Sequence, residues 1–159
     1  MKTSWTALGT LLVCQAARET LNQPGRQARE GFGGRIRLTS LWNGGAAFGL
    51  PVSPRALLAA SAAALGMAWR YRKRHPVSTG LLLGGGVSNL LERIWTGRVY
   101  DYIQFPGAPG RLKRYVFNLA DFAIFLGGAA ECTMSQWSSG SGMYEAEDST
   151  CTSSLIISF

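Results

Sequence analysis

The sequence predicts an all-helical integral membrane protein with four transmembrane spans. Three observations lead there. Apolar residues gather in four separate stretches within residues 1–130. Charged residues are only 16% of the 159 residues, against about 25% in a typical soluble domain. Arg, Trp and Tyr stand at the ends of the apolar stretches, where they can snorkel or anchor at a membrane interface. A soluble bundle could contain any one of these stretches. Four of them, with hardly a polar stripe on the second, fit a bilayer better.

The first span is expected over about residues 4–18. Its apolar core, Trp5 to Ala17, has the length of a signal-peptide core, but Arg18 and Glu19 follow directly and no small-residue cleavage site is evident, so it reads as a retained helix. The second span, about 54–71, is rich in Ala and Leu and runs into Arg70, Tyr71, Arg72, Lys73 and Arg74. The third, about 76–95, carries Gly80 and Gly84 in small-x-x-x-small spacing, which favours close helix packing. The fourth, about 116–133, contains Asn118 and Asp121 and is expected to break at Glu131. These spans form one domain over 1–134. From Ser135 the chain turns to Ser, Thr and Gly, and 135–159 reads as a disordered tail. The uninterrupted stretches are short: fifteen helical residues cover only ~22 Å of a ~30 Å hydrocarbon core, so each span must recruit its flanks.

The dense basic run at 70–74 reads as cytoplasmic, which puts both termini in the cytoplasm and the loops 18–53 and 98–114 outside. By raw count the outer loops hold more Arg and Lys, so the orientation rests on charge density beside the span ends. Net charge is +7. A basic chain of this size can bind nucleic acid, but no reader motif is present and a surface facing anionic lipid explains the same residues. One His (His75) and three scattered Cys (Cys14, Cys132, Cys151) cannot build an ordinary zinc site, so no metal and no cofactor are expected.

The acids carry the chemical information. Of three aspartates, Asp148 belongs to the tail, while Asp101 and Asp121 fall just after the third apolar stretch and at the start of the fourth. An ionisable group at membrane depth costs ~2.5–3.5 kcal/mol on insertion scales, so it usually serves a purpose. Two carboxyls at a partly dehydrated site share a proton and can act as acid and base on an amide. Asn118 can cap a helix that begins at Leu119, with Asp121 in its first turn, where the helix dipole favours the ionised form. The expected resting state therefore has the charge on Asp121 and the proton on Asp101. Composition alone leaves a plainer reading open, with Asp101 an interfacial loop residue between Tyr100 and Tyr102 and Asp121 only a helix-start carboxylate.

Four blocks in order then resemble the lipoprotein signal peptidases (signal peptidase II), a family of four-span bacterial aspartic peptidases. Residues 43–49 (Asn43, Gly45, Ala46, Ala47, Phe48, Gly49) match N-x-G-A-A-F-G, and residues 88–93 match G-N-x-x-D-R. Residues 97–103 match G-x-V-x-D-F-I, and residues 117–121 match F-N-x-A-D. The resemblance implies a four-span fold with a small extended platform on the outer face, and a catalytic dyad at Asp101 and Asp121. It implies substrate-binding roles for Asn43, Gly45, Asn89, Arg93 and Asn118. The implied substrate is a diacylglyceryl-modified prolipoprotein cut just before its lipidated cysteine, at the outer face of the bacterial inner membrane. The implied partners are that substrate and membrane lipids, with no nucleic acid, and a monomer is expected. The chain departs from the family pattern at Cys14 and Arg18 of D-Q-x-x-K, at Ser88 and at Glu92. An impaired homologue, or a non-enzymatic four-helix membrane protein, are the alternatives.

Overall fold

Helix α1 (Lys2–Leu21) opens the chain, followed by β1 (Arg29–Gly31), β2 (Ile36–Asn43), α2 (Pro54–Tyr71) and α3 (Pro76–Thr96). The strands β3 (Val99–Gln104) and β4 (Val116–Phe117) then lead into α4 (Leu119–Gly140). The structure, a computed structural model, describes residues 1–23, 29–31, 33–45 and 52–140, with side chains up to residue 134. Residues Ala46 to Gly49 of the first matching block, and the tail after Gly140, lie outside the described residues.

Local chemistry sets the helix starts. Ser53 caps α2, its hydroxyl accepting the Ala56 N–H at 3.3 Å, and Pro54 follows at a position that needs no N–H donor. Pro76 opens α3 in the same way after the turn at Arg72–His75. Helix α3 is central and packs against the other three helices. Glycines permit that approach. A Cβ on Gly84 would lie 2.5 Å from the Ala7 carbonyl oxygen of α1, and one on Gly85 would lie 2.6 Å from the Ala120 carbonyl oxygen of α4. The glycine spacing noted in the sequence thus sits on the α1–α3 seam.

The four strands form one antiparallel sheet in the order β1-β2-β3-β4, the small extended platform that the family resemblance implies. It lies where α1 and α3 end and α4 begins. The Tyr100 N–H donates to Glu92 of α3, the Tyr100 hydroxyl to the Leu21 carbonyl of α1, and the Leu119 N–H to the Tyr102 hydroxyl. The basic turn is at the opposite end, where the Thr3 hydroxyl donates to the Arg72 carbonyl. There Arg72 stacks on Trp69 and Arg74 on Tyr71.

Two expectations change. Glu131 does not end α4, because the Ser78 and Thr79 hydroxyls of α3 donate to its carboxylate at 2.8 and 2.5 Å and satisfy it between the helices. The helix continues to Gly140, into the segment that composition assigned to a tail. The helices run 18 to 22 residues, or ~27–33 Å, recruiting their flanks as the short apolar runs require. By hydropathy, no helix among the described residues is long and apolar enough to cross a membrane. Glycine, serine, threonine and the flanking charges dilute each window. Burial, however, is inverted. On α1 the buried residues are Thr3, Cys14 and Arg18, while Trp5 (68% exposed) and Leu12 (59%) face outward. On α3 Ser78, Ser88, Asn89, Glu92 and Arg93 are inside together with Leu82 and Leu83, and Val77, Ile94 and Trp95 are outside.

Candidate active site

Asp101 lies in β3 and Asp121 in the first turn of α4. Three asparagines hold them, and one of these, Asn118, bonds both. The Asn118 side-chain amide donates to Asp101 Oδ1 at 2.8 Å, and Asn43 donates to Asp101 Oδ2 at 3.2 Å. Asn89 donates to Asp121 Oδ1 at 2.9 Å, and the Asn118 backbone N–H to Asp121 Oδ2 at 2.9 Å. Every carboxylate oxygen of the pair therefore accepts one N–H.

The asparagines are oriented by their other ends. Asn43 Oδ1 accepts the Gly45 N–H at 3.0 Å, Asn118 Oδ1 the Asp121 N–H at 3.2 Å, and Asn89 Oδ1 a guanidinium N–H of Arg18 at 3.4 Å. With each oxygen committed, each amide nitrogen must point at an aspartate. Asn118 and Asp121 together make a reciprocal cap of the α4 terminus, with Asp in the place that Glu or Gln usually takes. Asn43 reaches Asp101 because the β2–β3 register pairs Leu41 with Asp101 and Asn43 with Val99, which sets Asn43 diagonally across the same face of the sheet.

Asp101 is almost fully buried. Burial and the neighbouring Asp121 carboxylate push its pKa up to about 7, against the opposing pull of its two asparagine donors and of Arg93. The pair borders a cavity of about 660 Å³ whose walls are mostly apolar, among them Leu41, Val99, Leu112, Ile124 and Leu126. Phe105, Phe117 and Phe122 form one wall as a mutually tilted trio with centroids 6.1–6.2 Å apart. Arg93 is buried at the cavity. One guanidinium nitrogen lies 3.5 Å from the Gly45 carbonyl, and Nε and Nη1 have no partner among the described residues. Two buried carboxyls, a buried guanidinium and an apolar wall thus border one cavity.

Residues 8–135 match the family profile described as signal peptidase (SPase) II. The chain belongs to the signal peptidase II family. It is similar to the lipoprotein signal peptidase of Syntrophomonas wolfei subsp. wolfei, 39% identical over 110 residues that cover 65% of this chain and 70% of the relative. It is also similar to that of Methylobacterium sp. (strain 4-46), 31% identical over 151 residues covering 86% and 90%. Its fold is shared with a bacterial membrane enzyme solved by the in meso method at 2.3 Å, with a TM-score of 0.77 at 17% identity over 92% of this chain and 94% of that one. A second such enzyme, solved at 1.9 Å, gives 0.70 at 19% identity, covering 83% of this chain and 90% of that one.

In this signal peptidase II chain the structure brings together Asn43, Asn89, Asn118, Asp101 and Asp121, with Arg93 and Gly45 joined at the edge. Sequence reasoning missed how far the site extends into α1. Arg18 contacts Asn89, Ser88 and Glu92, and Cys14 lies beside Arg18 and Ser88. These are the four positions that depart from the family pattern, and that shared departure was the available signal. Phe105 and Phe122 carried no signal.

Proposed function

We propose that the chain is an aspartic endopeptidase that removes signal peptides from diacylglyceryl-modified prolipoproteins, cutting just before the lipidated cysteine. The observation that carries this reading is Asn118, which caps the helix bearing Asp121 while its side chain donates to Asp101. One asparagine thereby couples two carboxyls from separate elements at an apolar cavity. Family membership and the names of the relatives support the substrate class.

In the resting site Asp101 holds the proton and Asp121 the charge. Asp121 takes a proton from water as the water oxygen bonds to the scissile carbonyl carbon, and Asp101 gives its proton to the carbonyl oxygen. Asp121 then protonates the amide nitrogen, the C–N bond breaks, and Asp101 recovers a proton from the collapsing diol. Arg93, whose Nε and Nη1 have no hydrogen-bond partner among the described residues, holds a substrate carbonyl.

Four helices cross the bacterial inner membrane in this reading, with the sheet and dyad at the outer face and both termini in the cytoplasm. The inverted burial of α1 and α3 supports it, since exposed Trp and Leu over buried polar groups suit lipid and not water. The basic turn at the end away from the sheet supports the orientation. The test is cleavage of a diacylglyceryl-prolipoprotein by the purified, membrane-inserted chain beside Asp101→Asn and Asp121→Asn. Each variant should lose at least ~10²-fold, the usual contribution of a general acid or base. Cleavage that survives either change overturns the dyad assignment.

A further inference from the structure

We propose that Arg18 and Glu92 form a positioning clamp that ties α1 to both aspartate-bearing elements and sets the orientation of the Asn89 amide on Asp121. The inference rests on the peptidase reading above.

Arg18 is buried near the end of α1. Its Nε lies 2.8 Å from Glu92 Oε2, an ion pair by distance, though angled off a hydrogen-bond line. Its Nη1 donates to Gln15 and, at 3.3 Å, to Ser88, and its Nη2 to Asn89 Oδ1 at 3.4 Å. Two routes lead from the pair to the dyad. Through Asn89, the guanidinium occupies the amide oxygen and so leaves the amide nitrogen to donate to Asp121 Oδ1. Through Glu92, the same carboxylate oxygen accepts the backbone N–H of Tyr100 at 3.2 Å, the residue beside Asp101 in β3. The Tyr100 hydroxyl returns to the Leu21 carbonyl of α1 and closes the circuit.

Without the guanidinium the Asn89 oxygen loses its one partner among the described residues, so the amide is no longer fixed at both ends and can swing away from Asp121 Oδ1. Lysine in the place of Arg18 is a compact point charge and cannot reach Glu92, Ser88 and Asn89 at once. Arg18, Glu92, Ser88 and Cys14 meet in one place, so their departures from the family pattern are one adapted set of contacts. The groups facing the dyad among the described residues are Arg18 and Cys14 from α1, Asn43 from β2, Asn89 and Arg93 from α3, Tyr102 from β3 and Asn118 before α4, with Glu92 behind Arg18 and Arg93.

The experiment measures kcat and KM for a diacylglyceryl-prolipoprotein with Arg18→Met, Glu92→Gln, the double variant and Arg18→Lys, each purified in detergent and checked by thermal melting. The double variant removes both charges and so leaves no buried ion unpaired, which keeps the test valid if either single variant fails to fold. The double variant should melt near the wild type, keep KM within about twofold and lose on the order of 10–100-fold in kcat, the scale expected when a catalytic group is misplaced. Arg18→Lys should recover part of that loss. An undiminished kcat in a folded double variant overturns the clamp, as does a loss confined to KM. Absence of cleavage by the folded wild type overturns the peptidase reading, and the clamp with it.

Discussion

Asparagine does at this site what a charged residue could not. Each of Asn43, Asn89 and Asn118 has its oxygen tied to an N–H and offers its nitrogen to a carboxylate. This holds the aspartates without neutralising them, as Lys or Arg would. Asn118 separates the two tasks experimentally. Asn118→Ala should cost about 1 kcal/mol for the lost cap and ~10–100-fold in cleavage as Asp101 loses its donor. Asn118→Asp keeps a cap acceptor, so its thermal melt should stay closer to the wild type, yet a third carboxylate beside Asp101 should depress cleavage at least as far. Melting and turnover measured on both variants check this. The sequence drew attention to Asp101 and Asp121 because only three aspartates exist and one lies in the tail, though composition alone left a plainer reading open. The cap at Asn118 was legible from its place before Leu119. The contacts of Asn43 and Asn89 join residues far apart in sequence, and only their presence in the family's motifs marked them.

The helices meet through absences of side chain, and those absences differ in what they protect. Gly84 faces the backbone of α1, remote from the carboxyls, whereas Gly85 faces the Ala120 carbonyl, one residue from Asp121. Gly84→Ala should therefore destabilise by about 1–3 kcal/mol with turnover of the folded protein little changed. Gly85→Ala should cost a similar amount and also lower kcat, because α4 must give way at its first turn. Unfolding in mixed micelles, read together with turnover, distinguishes them. At this scale the sequence was informative about existence and order: four helices and their rough extents follow from the apolar stretches. It was misleading chiefly about one end, that of α4. Glu131 reads as the end of an apolar span in one dimension, and only the Ser78 and Thr79 hydroxyls across the seam show how its carboxylate is satisfied between two helices. The strands were not legible from periodicity, since β1 and β4 are only three and two residues long.

At the scale of the whole molecule, stability and function pull against each other through Asp101. Its carboxyl ordinarily titrates near 3.8 and here near 7, so the folded state prefers the protonated form. The sign follows: the stabilisation is fully present below about pH 4 and is lost as pH rises through about 7, with ~4 kcal/mol as the upper limit for a shift of this size. The melting temperature should fall between pH 5 and pH 8, and Asp101→Asn should flatten that fall. Cleavage should decline on the same alkaline side as Asp101 loses its proton. Scanning calorimetry of both proteins in detergent across that range, with parallel turnover measurements, is the check. A wild-type melt that does not move with pH would mean that Asp101 is ionised throughout. The long-range character of the site explains why the sequence alone did not reach the α1 contribution: Arg18 and Glu92 are brought together only by the helix packing around α3.

Asp121 sits in the first turn of α4, and Asp101 with its partner Asn43, like Asp121's own partners Asn89 and Asn118, all come earlier in the chain. A chain still growing on the ribosome therefore carries one aspartate with nothing to share its proton, however much of the bundle has already assembled. The second carboxyl arrives only with α4. On the proposed dyad, biosynthesis itself keeps the newborn molecule inert toward its neighbours until that helix is in place.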